Sequence, residues 1–242
     1  MNKNSNSEVI AMTNFNLAID GPAGAGKSTI AKRIAKQLGF IYVDTGAMYR
    51  AMALYFIRNH IEATDNDRIE DACKDVDVTI EYKNGEQLVV LNGENVNGFI
   101  RTEEVGNMAS VSSVNKTVRL KLVELQQSLA KKESVVMDGR DIGTYVLPSA
   151  DLKIYLTASS KERARRRWAE LKDKGIDSNV ESIEDDILER DHRDMTREFA
   201  PLKQAEDAIY LDTSEMSLDE VVENILNLFK KVSLDNKNYN KN

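Results

Sequence analysis

Cysteine is almost absent. Cys73 is the only one in 242 residues, so no disulfide can form within the chain. With no histidine at catalytic spacing beside it, the thiol reads as a small packing residue or an inert surface group. No apolar run approaches the ~20 residues that a bilayer span needs. Met1–Ser7 is polar and is not followed by the apolar core of a secretion signal. The expected location is therefore the reducing cytoplasm. Basic charge is not in excess: 33 Lys and Arg stand against 40 Asp and Glu, a formal charge of -7. That balance argues against general affinity for nucleic acid or for an anionic membrane. Histidine is limited to His60 and His192, each of which reads as structural or exposed. No long apolar heptad seam is present, so a monomer is the default expectation.

What the chain does contain is a 41% hydrophobic fraction, ordinary for a protein that buries a real core. Short apolar runs alternate with longer amphipathic segments. Phe15–Ile19, Phe40–Val43, Val135–Met137, Leu152–Leu156 and Ala208–Leu211 are candidate buried strands. Near-continuous apolar runs of this kind suit a parallel sheet covered on both faces. Helical patterns separate them, for instance Thr29–Leu38 and Leu218–Lys230, which predicts a doubly wound α/β fold. The polar ends, residues 1–13 and Ser233–Asn242, are expected to be disordered. Val76–Val96 breaks the rhythm with two Asn-Gly pairs, Asn84-Gly85 and Asn92-Gly93, among β-prone residues. Asn-Gly accommodates positive φ at both turn positions, so a small antiparallel meander is predicted there. It reads either as a surface elaboration or as part of a substrate lobe.

The sharpest signal is Gly21-Pro22-Ala23-Gly24-Ala25-Gly26-Lys27-Ser28, which fits G-x-x-x-x-G-K-[ST] at every fixed position. It follows the apolar run Asn16–Asp20 and precedes a helix start at Thr29, the strand–loop–helix context that the motif requires. Gly21, Gly24 and Gly26 allow backbone N–H groups to close around phosphate oxygens. The helix that follows adds partial positive charge at its N-terminus. Lys27 is placed to reach β- and γ-phosphates, and Ser28 to offer a hydroxyl to Mg²⁺. A second anchor is Val135-Val136-Met137-Asp138, an apolar strand ending in an acid. Asp138 is suited to hold a Mg²⁺-bound water, or alternatively to cap the turn into Gly139.

Two arginine clusters offer the forks that phosphoryl transfer needs. In Ser160–Lys172, Arg163, Arg166 and Arg167 fall at i, i+3 and i+4. In Leu188–Arg197, Arg190, Arg193 and Arg197 fall at i, i+3 and i+7, with Asp191 and Asp194 interleaved. A polar, Gly-containing segment, Asp173–Ser182, lies between. The bland reading is a salt-bridged solvent face; beside a phosphate loop, a helical lid is the stronger one. No general base is evident. A phosphate monoester acceptor is ionised near neutral pH and needs none, which favours a phosphate acceptor over a sugar hydroxyl.

Five stretches resemble bacterial cytidylate kinases: Ile19–Thr29, Asp44–Arg50, Ile100–Val105, Asp138–Thr144 and Arg190–Asp194. The resemblance spans about residues 14 to 230. It implies transfer of the γ-phosphoryl group of ATP to CMP or dCMP with Mg²⁺. It further implies the nucleoside monophosphate kinase fold: a five-stranded parallel sheet, a lobe for the monophosphate enlarged by the β insertion, and a helical lid. On this reading one domain covers about 14–232. The monophosphate lobe is about 45–120 with its insertion at about 76–96, and the lid is about 160–197. The resemblance places Asp44, Thr45, Arg50, Ser110, Arg119, Arg140, Asp141, Arg190, Asp194 and Arg197 in the monophosphate site. Arg50 and Arg140 would hold its phosphate, and Ser110, Arg119 and Asp141 a cytosine edge. Asp194 would suit the ribose hydroxyls. Lys27, Asp138, Arg163 and Arg167 are the expected catalytic groups. Two positions depart from the family pattern: Ser28 is Gly in some members, and His192 stands where Asp is frequent. Adenylate, guanylate and shikimate kinases are the rival readings among small-molecule kinases. A regulatory GTPase is disfavoured because no Asn-Lys-x-Asp occurs, Asn115-Lys116 being followed by Thr117-Val118.

Overall fold

The computed structural model describes residues 14–239. Five parallel strands form the central sheet: β1 (Asn16–Asp20), β2 (Ile41–Asp44), β6 (Val135–Gly139), β7 (Leu152–Thr157) and β8 (Ile209–Asp212), in the order β2-β6-β1-β7-β8. Side chains alternate between the two faces of a strand, so Leu17 and Ile19 of β1 and Val136 of β6 point one way. There they meet Ile30 and Ile34 of α1 (Lys27–Leu38) and Val221 and Ile225 of α8 (Leu218–Tyr239). Ala18, Val135 and Met137 point the other way, against Met48, Met52 and Phe56 of α2 (Thr45–Arg58). Val118 and Leu122 of α5 (Lys116–Lys132) close the same core. Each such buried aliphatic side chain contributes about 1.5–3 kcal/mol.

The strands carry their acids to one edge. Asp20, Asp44 and Asp138 sit at or next to the C-terminal ends of β1, β2 and β6, and the register sets Asp44 against Asp138 and Ile19 against Asp138. All three are buried. This is the edge at which ligands bind in open parallel sheets.

The insertion forms a separate antiparallel sheet, β3 (Val78–Lys83), β4 (Glu86–Leu91) and β5 (Glu94–Asn95), preceded by α3 (Asn66–Asp75). Both Asn-Gly pairs turn with positive φ: 55° and 77° at Asn84 and Gly85, 48° and 82° at Asn92 and Gly93. The chain then enters α4 (Glu103–Ser112). After β7, α6 (Ser160–Asp173) and α7 (Val180–Thr196) form a hairpin around a small core of their own, Ala164, Ile183 and Ile187 with Trp168 against them.

Two expectations need correction. The run at Ala208–Leu211 is not a buried strand: β8 is one of the sheet's two edge strands, β2 being the other, and its Ile209 and Tyr210 are exposed. An apolar run marks a strand but not its place in the sheet. The polar segment from Ser233 is not wholly irregular either, because α8 continues to Tyr239. A helix already nucleated by its packed first turns propagates through Asn and Lys at little cost. Residues 1–13 and 240–242, also expected to be disordered, lie outside the described residues. Cys73 is buried against the core, and burial pushes its thiol up to about 11, as suits a packing residue.

Candidate active site

The phosphate loop is locked at its first residue. Gly21 has φ 149°, and a Cβ there would lie 1.9 Å from the carbonyl oxygen of Leu156 on β7. Gly26 ends the loop in the left-handed region, φ 84°, and α1 begins at Lys27. Lys27 is buried, its Nζ donating to the Pro22 carbonyl at 2.7 Å. Ser28 Oγ donates to Asp138 Oδ2 at 2.8 Å, and Thr29 follows on the exposed side of α1. Asp138 Oδ1 is buried without a hydrogen-bond partner among the described residues. Burial, with Asp44 next, pushes the Asp138 carboxyl up to about 6 against the pull of Lys27 and Ser28. The turn-capping alternative for Asp138 finds no support. What Asp138 offers the turn into α2 is its carbonyl, which accepts from Thr45 Oγ1 at 2.7 Å.

One corner of the loop is already occupied. The Ala23 N–H donates to Asp191 Oδ1 at 2.8 Å, and its carbonyl accepts from Arg163 Nη1 at 2.8 Å. The backbone donors left for a phosphate therefore begin beyond Ala23, from Gly24 to Ser28.

Opposite the loop, three arginines converge. Arg140 follows β6, Arg50 lies on α2 and Arg190 on α7. Burial, then Arg140 and Arg50, pushes the Arg190 guanidinium down to about 10, with Asp194 and Asp191 opposing. Arg50 is likewise lowered, by burial first, and Arg101 and Arg140 add to the effect. Arg140 is held by Asp194, Nε to Oδ2 at 2.8 Å. Neither the Arg50 nor the Arg190 side chain makes a hydrogen bond or ion pair among the described residues. Three neighbouring guanidinium groups, two of them without a hydrogen bond or ion pair among the described residues, are suited to an anion.

A buried polar network continues from there. Asp141 accepts from Arg119 Nη2 at 2.5 Å and from Arg197 Nη2 at 3.2 Å. The Arg119 guanidinium lies 5.3 Å from the centroid of the Tyr49 ring, and its Nε is buried without an acceptor among the described residues. Arg197 also donates to Asp194 and to the Ala200 carbonyl. Ser110 on α4 accepts from Arg193 Nη1 at 2.7 Å, which ties α4 to α7.

Comparison with known proteins decides the family. The family description for cytidylate kinases matches residues 17–231. A cytidylate kinase of Caldicellulosiruptor bescii is 53% identical over 221 residues, 91% of this chain and 98% of its own. One from Bacillus cereus is 46% identical over 218 residues, 90% of this chain and 97% of its own. The chain belongs to the cytidylate kinase family. A gluconokinase of Sinorhizobium meliloti 1021 superposes with a TM-score of 0.51 at 15% identity, covering 95% of this chain and 99% of that one. That likeness speaks for the fold alone.

Within this cytidylate kinase framework, most of the expected site residues are brought together. Lys27, Ser28 and Asp138 meet at the loop; Arg50, Arg140 and Arg190 face one another; Arg119, Asp141, Asp194 and Arg197 form one network. Asp44 caps α2, accepting from the Ala47 N–H at 2.9 Å. The first arginine cluster is dispersed. Arg163 is buried and committed to Asp191, Ala23 and Ala158; Arg166 donates to Thr213; Arg167 is half exposed and pairs with Glu170 at 2.9 Å. Positions i, i+3 and i+4 cover an arc of about 100° on a helix, wide enough for the three stems to part. The structure does not bring Arg167 to the phosphate loop. His60 and His192 are both exposed and outside the site.

Four residues had no assigned role in the sequence reading. Asp20 accepts from two backbone N–H groups, and Asp191 anchors α6 and α7 to the loop. Arg101 pairs with Asp44 at 2.6 Å, and Gln87 of β4 exchanges two hydrogen bonds with the Asp44 backbone. Arg101, Asp191 and Asp20 lay inside stretches already singled out. Gln87 carried no signal, and its two hydrogen bonds tie the insertion to the end of β2 at Asp44.

The Arg163–Asp191 pair gives a direct test of how the helical hairpin is fixed. Arg163→Met leaves a buried carboxylate without its counter-charge, a change that costs about 3–5 kcal/mol. Adding Asp191→Asn removes the orphaned charge, keeps an oxygen for the Ala23 N–H, and should restore most of that stability in a denaturant titration. A double variant no more stable than the single one would mean that the pair is not the anchor.

Proposed function

We propose that this chain transfers the γ-phosphoryl group of ATP to CMP or dCMP, with Mg²⁺, and that the converging arginines hold the acceptor phosphate. The carrying observation is Arg50 and Arg190, half-buried and without a hydrogen bond or ion pair among the described residues, beside Arg140 and near the phosphate loop. An acceptor dianion supplies the missing negative charge and is itself the nucleophile, so no base is required. This fits the exposure of both histidines.

The residues present suit the metal. Asp138 Oδ1 is an unmet acceptor beside the Ser28 hydroxyl. Among the described residues no group of three or more His, Cys, Asp or Glu could cage an ion. Mg²⁺ keeps several waters and binds through one or two protein oxygens plus phosphates, and Ser28 and Asp138 are of that kind. When bound, the ion would supply charge neutralisation for the transferring group; Lys27 and the Gly24–Ser28 backbone would hold the donor phosphates.

For the base, Asp141 retains lone pairs beyond its two arginine contacts and can accept from the cytosine amine, while Arg119 Nε can donate to a ring acceptor. Asp194 would serve the ribose. In this scheme α6 and α7 act as the lid, with Arg163 steadying it. Residues 45–120 act as the monophosphate lobe, and the enzyme works as a monomer in the cytoplasm. Among the described residues no helix is long and apolar enough to cross a membrane.

A panel of acceptors in a coupled ADP-release assay tests the reading. CMP and dCMP should give the highest kcat/KM, UMP a lower one, and AMP, GMP and shikimate little. Turnover of another acceptor with none of CMP would overturn it.

A further inference from the structure

Asp20 is the last residue of β1 and the covalent neighbour of Gly21, where the phosphate loop begins. Its backbone is continuous with the loop, whose first residue lies so close to β7 that a Cβ on Gly21 would meet the Leu156 carbonyl. Its carboxylate reaches across to the acceptor side. Oδ1 accepts from the Ile142 N–H at 2.8 Å and Oδ2 from the Gly143 N–H at 2.7 Å. These N–H groups directly follow Asp141 and open the single π-turn Ile142–Val146. The first N–H groups of any helical turn lack a partner within it. The Asp141 carbonyl, in turn, accepts from the Tyr145 and Val146 N–H groups at 2.9 and 3.1 Å. The backbone on the C-terminal side of Asp141 is thus pinned by one carboxylate that belongs to the donor side. Asp20 is buried and makes no ion pair among the described residues. The fit is close from the turn's side as well: a Cβ on Gly143 would stand 3.4 Å from Asp20 Oδ2 and 3.1 Å from Lys153 Cδ.

We propose that Asp20 is a positioning residue that couples the two substrate sites: occupancy of the phosphate loop is transmitted through its carboxylate to Asp141 and its arginines, and raises affinity for the acceptor. The inference rests on the acceptor site proposed above. The physical basis is that the turn bearing Arg140 and Asp141 has its two leading N–H groups committed to a side chain whose backbone is the edge of the loop. A shift of that edge moves both hydrogen bonds together. Coupling of this kind is reciprocal, so CMP must strengthen binding of the donor by the same factor.

Calorimetry measures it. CMP and a non-hydrolysable ATP analogue with Mg²⁺ are each titrated alone and in the presence of the other, on the wild type and on Asp20→Asn. The wild type should bind CMP at least ~5-fold more tightly with the analogue bound. In Asp20→Asn, an amide NH₂ faces one of the two N–H groups, and the ratio should fall to within about twofold of unity, while affinity for the analogue alone stays within about threefold. A wild-type ratio of one overturns the proposal. So does an Asp20→Asn variant in which both affinities fall in parallel with the ratio kept, since the residue then only supports the fold. Asp20→Glu keeps the charge but, one methylene longer, cannot keep both hydrogen bonds in place, and it should also lower the ratio. It decides the matter if Asp20→Asn does not fold. Failure of CMP to bind the wild type at all would instead count against the acceptor assignment.

Discussion

Lys27→Ala should lower kcat at least ~100-fold while leaving the unfolding midpoint within a few degrees of the wild type. Removing one preorganised donor aimed at developing charge typically costs about 3 kcal/mol or more. The variant loses no buried ion pair, because Lys27 donates only to the Pro22 carbonyl. Its electrostatics add a second readout. Burial, and Arg140 after it, brings the ammonium from the ordinary lysine range down to about 7, with Asp138, Asp194 and Asp20 pulling the other way. Lys27 is therefore more easily held neutral in the free protein than an ordinary lysine. Arrival of a polyphosphate favours the charged form and raises the pKa. The Lys27 contribution to proton uptake on ATP binding should therefore grow as the pH rises through neutrality. Titrations in buffers of different ionisation enthalpy read this directly, and the uptake should vanish in Lys27→Ala. A folded variant with near-normal kcat would remove the phosphate-loop assignment.

The parts of this site that were legible in the sequence are those carried by local chemistry. The phosphate loop declares itself because only glycine fits at Gly21 against Leu156 and in the left-handed region at Gly26. The two Asn-Gly turns are set by the same backbone requirement. The strands β1, β2, β6 and β7 follow from apolar runs that must be covered on both faces. What stayed hidden is long-range pairing. Arg163 and Asp191 are 28 positions apart, and Ala23 and Asp191 are 168 apart. Nothing in helical spacing tells a solvent-facing arginine from one committed to a buried carboxylate. Asp20 was visible as an acid before the loop, but its partners lie 122 and 123 residues away and are backbone groups, which no side-chain pattern advertises. Gln87 is hidden for the same reason. Its hydrogen bonds go to the Asp44 backbone and could be satisfied by any amide placed there by the fold.

Asp141→Asn should cut kcat/KM for CMP by roughly 10- to 100-fold, cut that for UMP far less, and leave ATP affinity unchanged. Cytosine presents an exocyclic amine donor where uracil presents a carbonyl acceptor. An ionised carboxylate can accept from the amine but has nothing to donate to a carbonyl. The structure complicates the choice of variant. Asp141 is paired with Arg119 and Arg197, whose side chains are each only 2% exposed. Truncation to alanine would strand two buried cations, and the cost of that, about 3–5 kcal/mol in comparable cases, would fall on the fold and on every substrate alike. Asparagine keeps the shape and one oxygen for Arg119, but it too lacks the counter-charge and turns an N–H toward Arg197. Some loss common to all substrates is therefore expected, and the ratio of the CMP loss to the UMP loss is the reading of base recognition. Asparagine can also turn an N–H toward the base, where it repels the amine of cytosine and suits the carbonyl of uracil. Loss of one such contact with a partner left unmet is worth about 1–3 kcal/mol, which is the source of the expected ratio. If CMP and UMP instead decline together, Asp141 serves only to hold Arg119 and Arg197 in place. Cytosine would then be read by other groups, with Ser110 and the unmet Arg119 Nε the next to test.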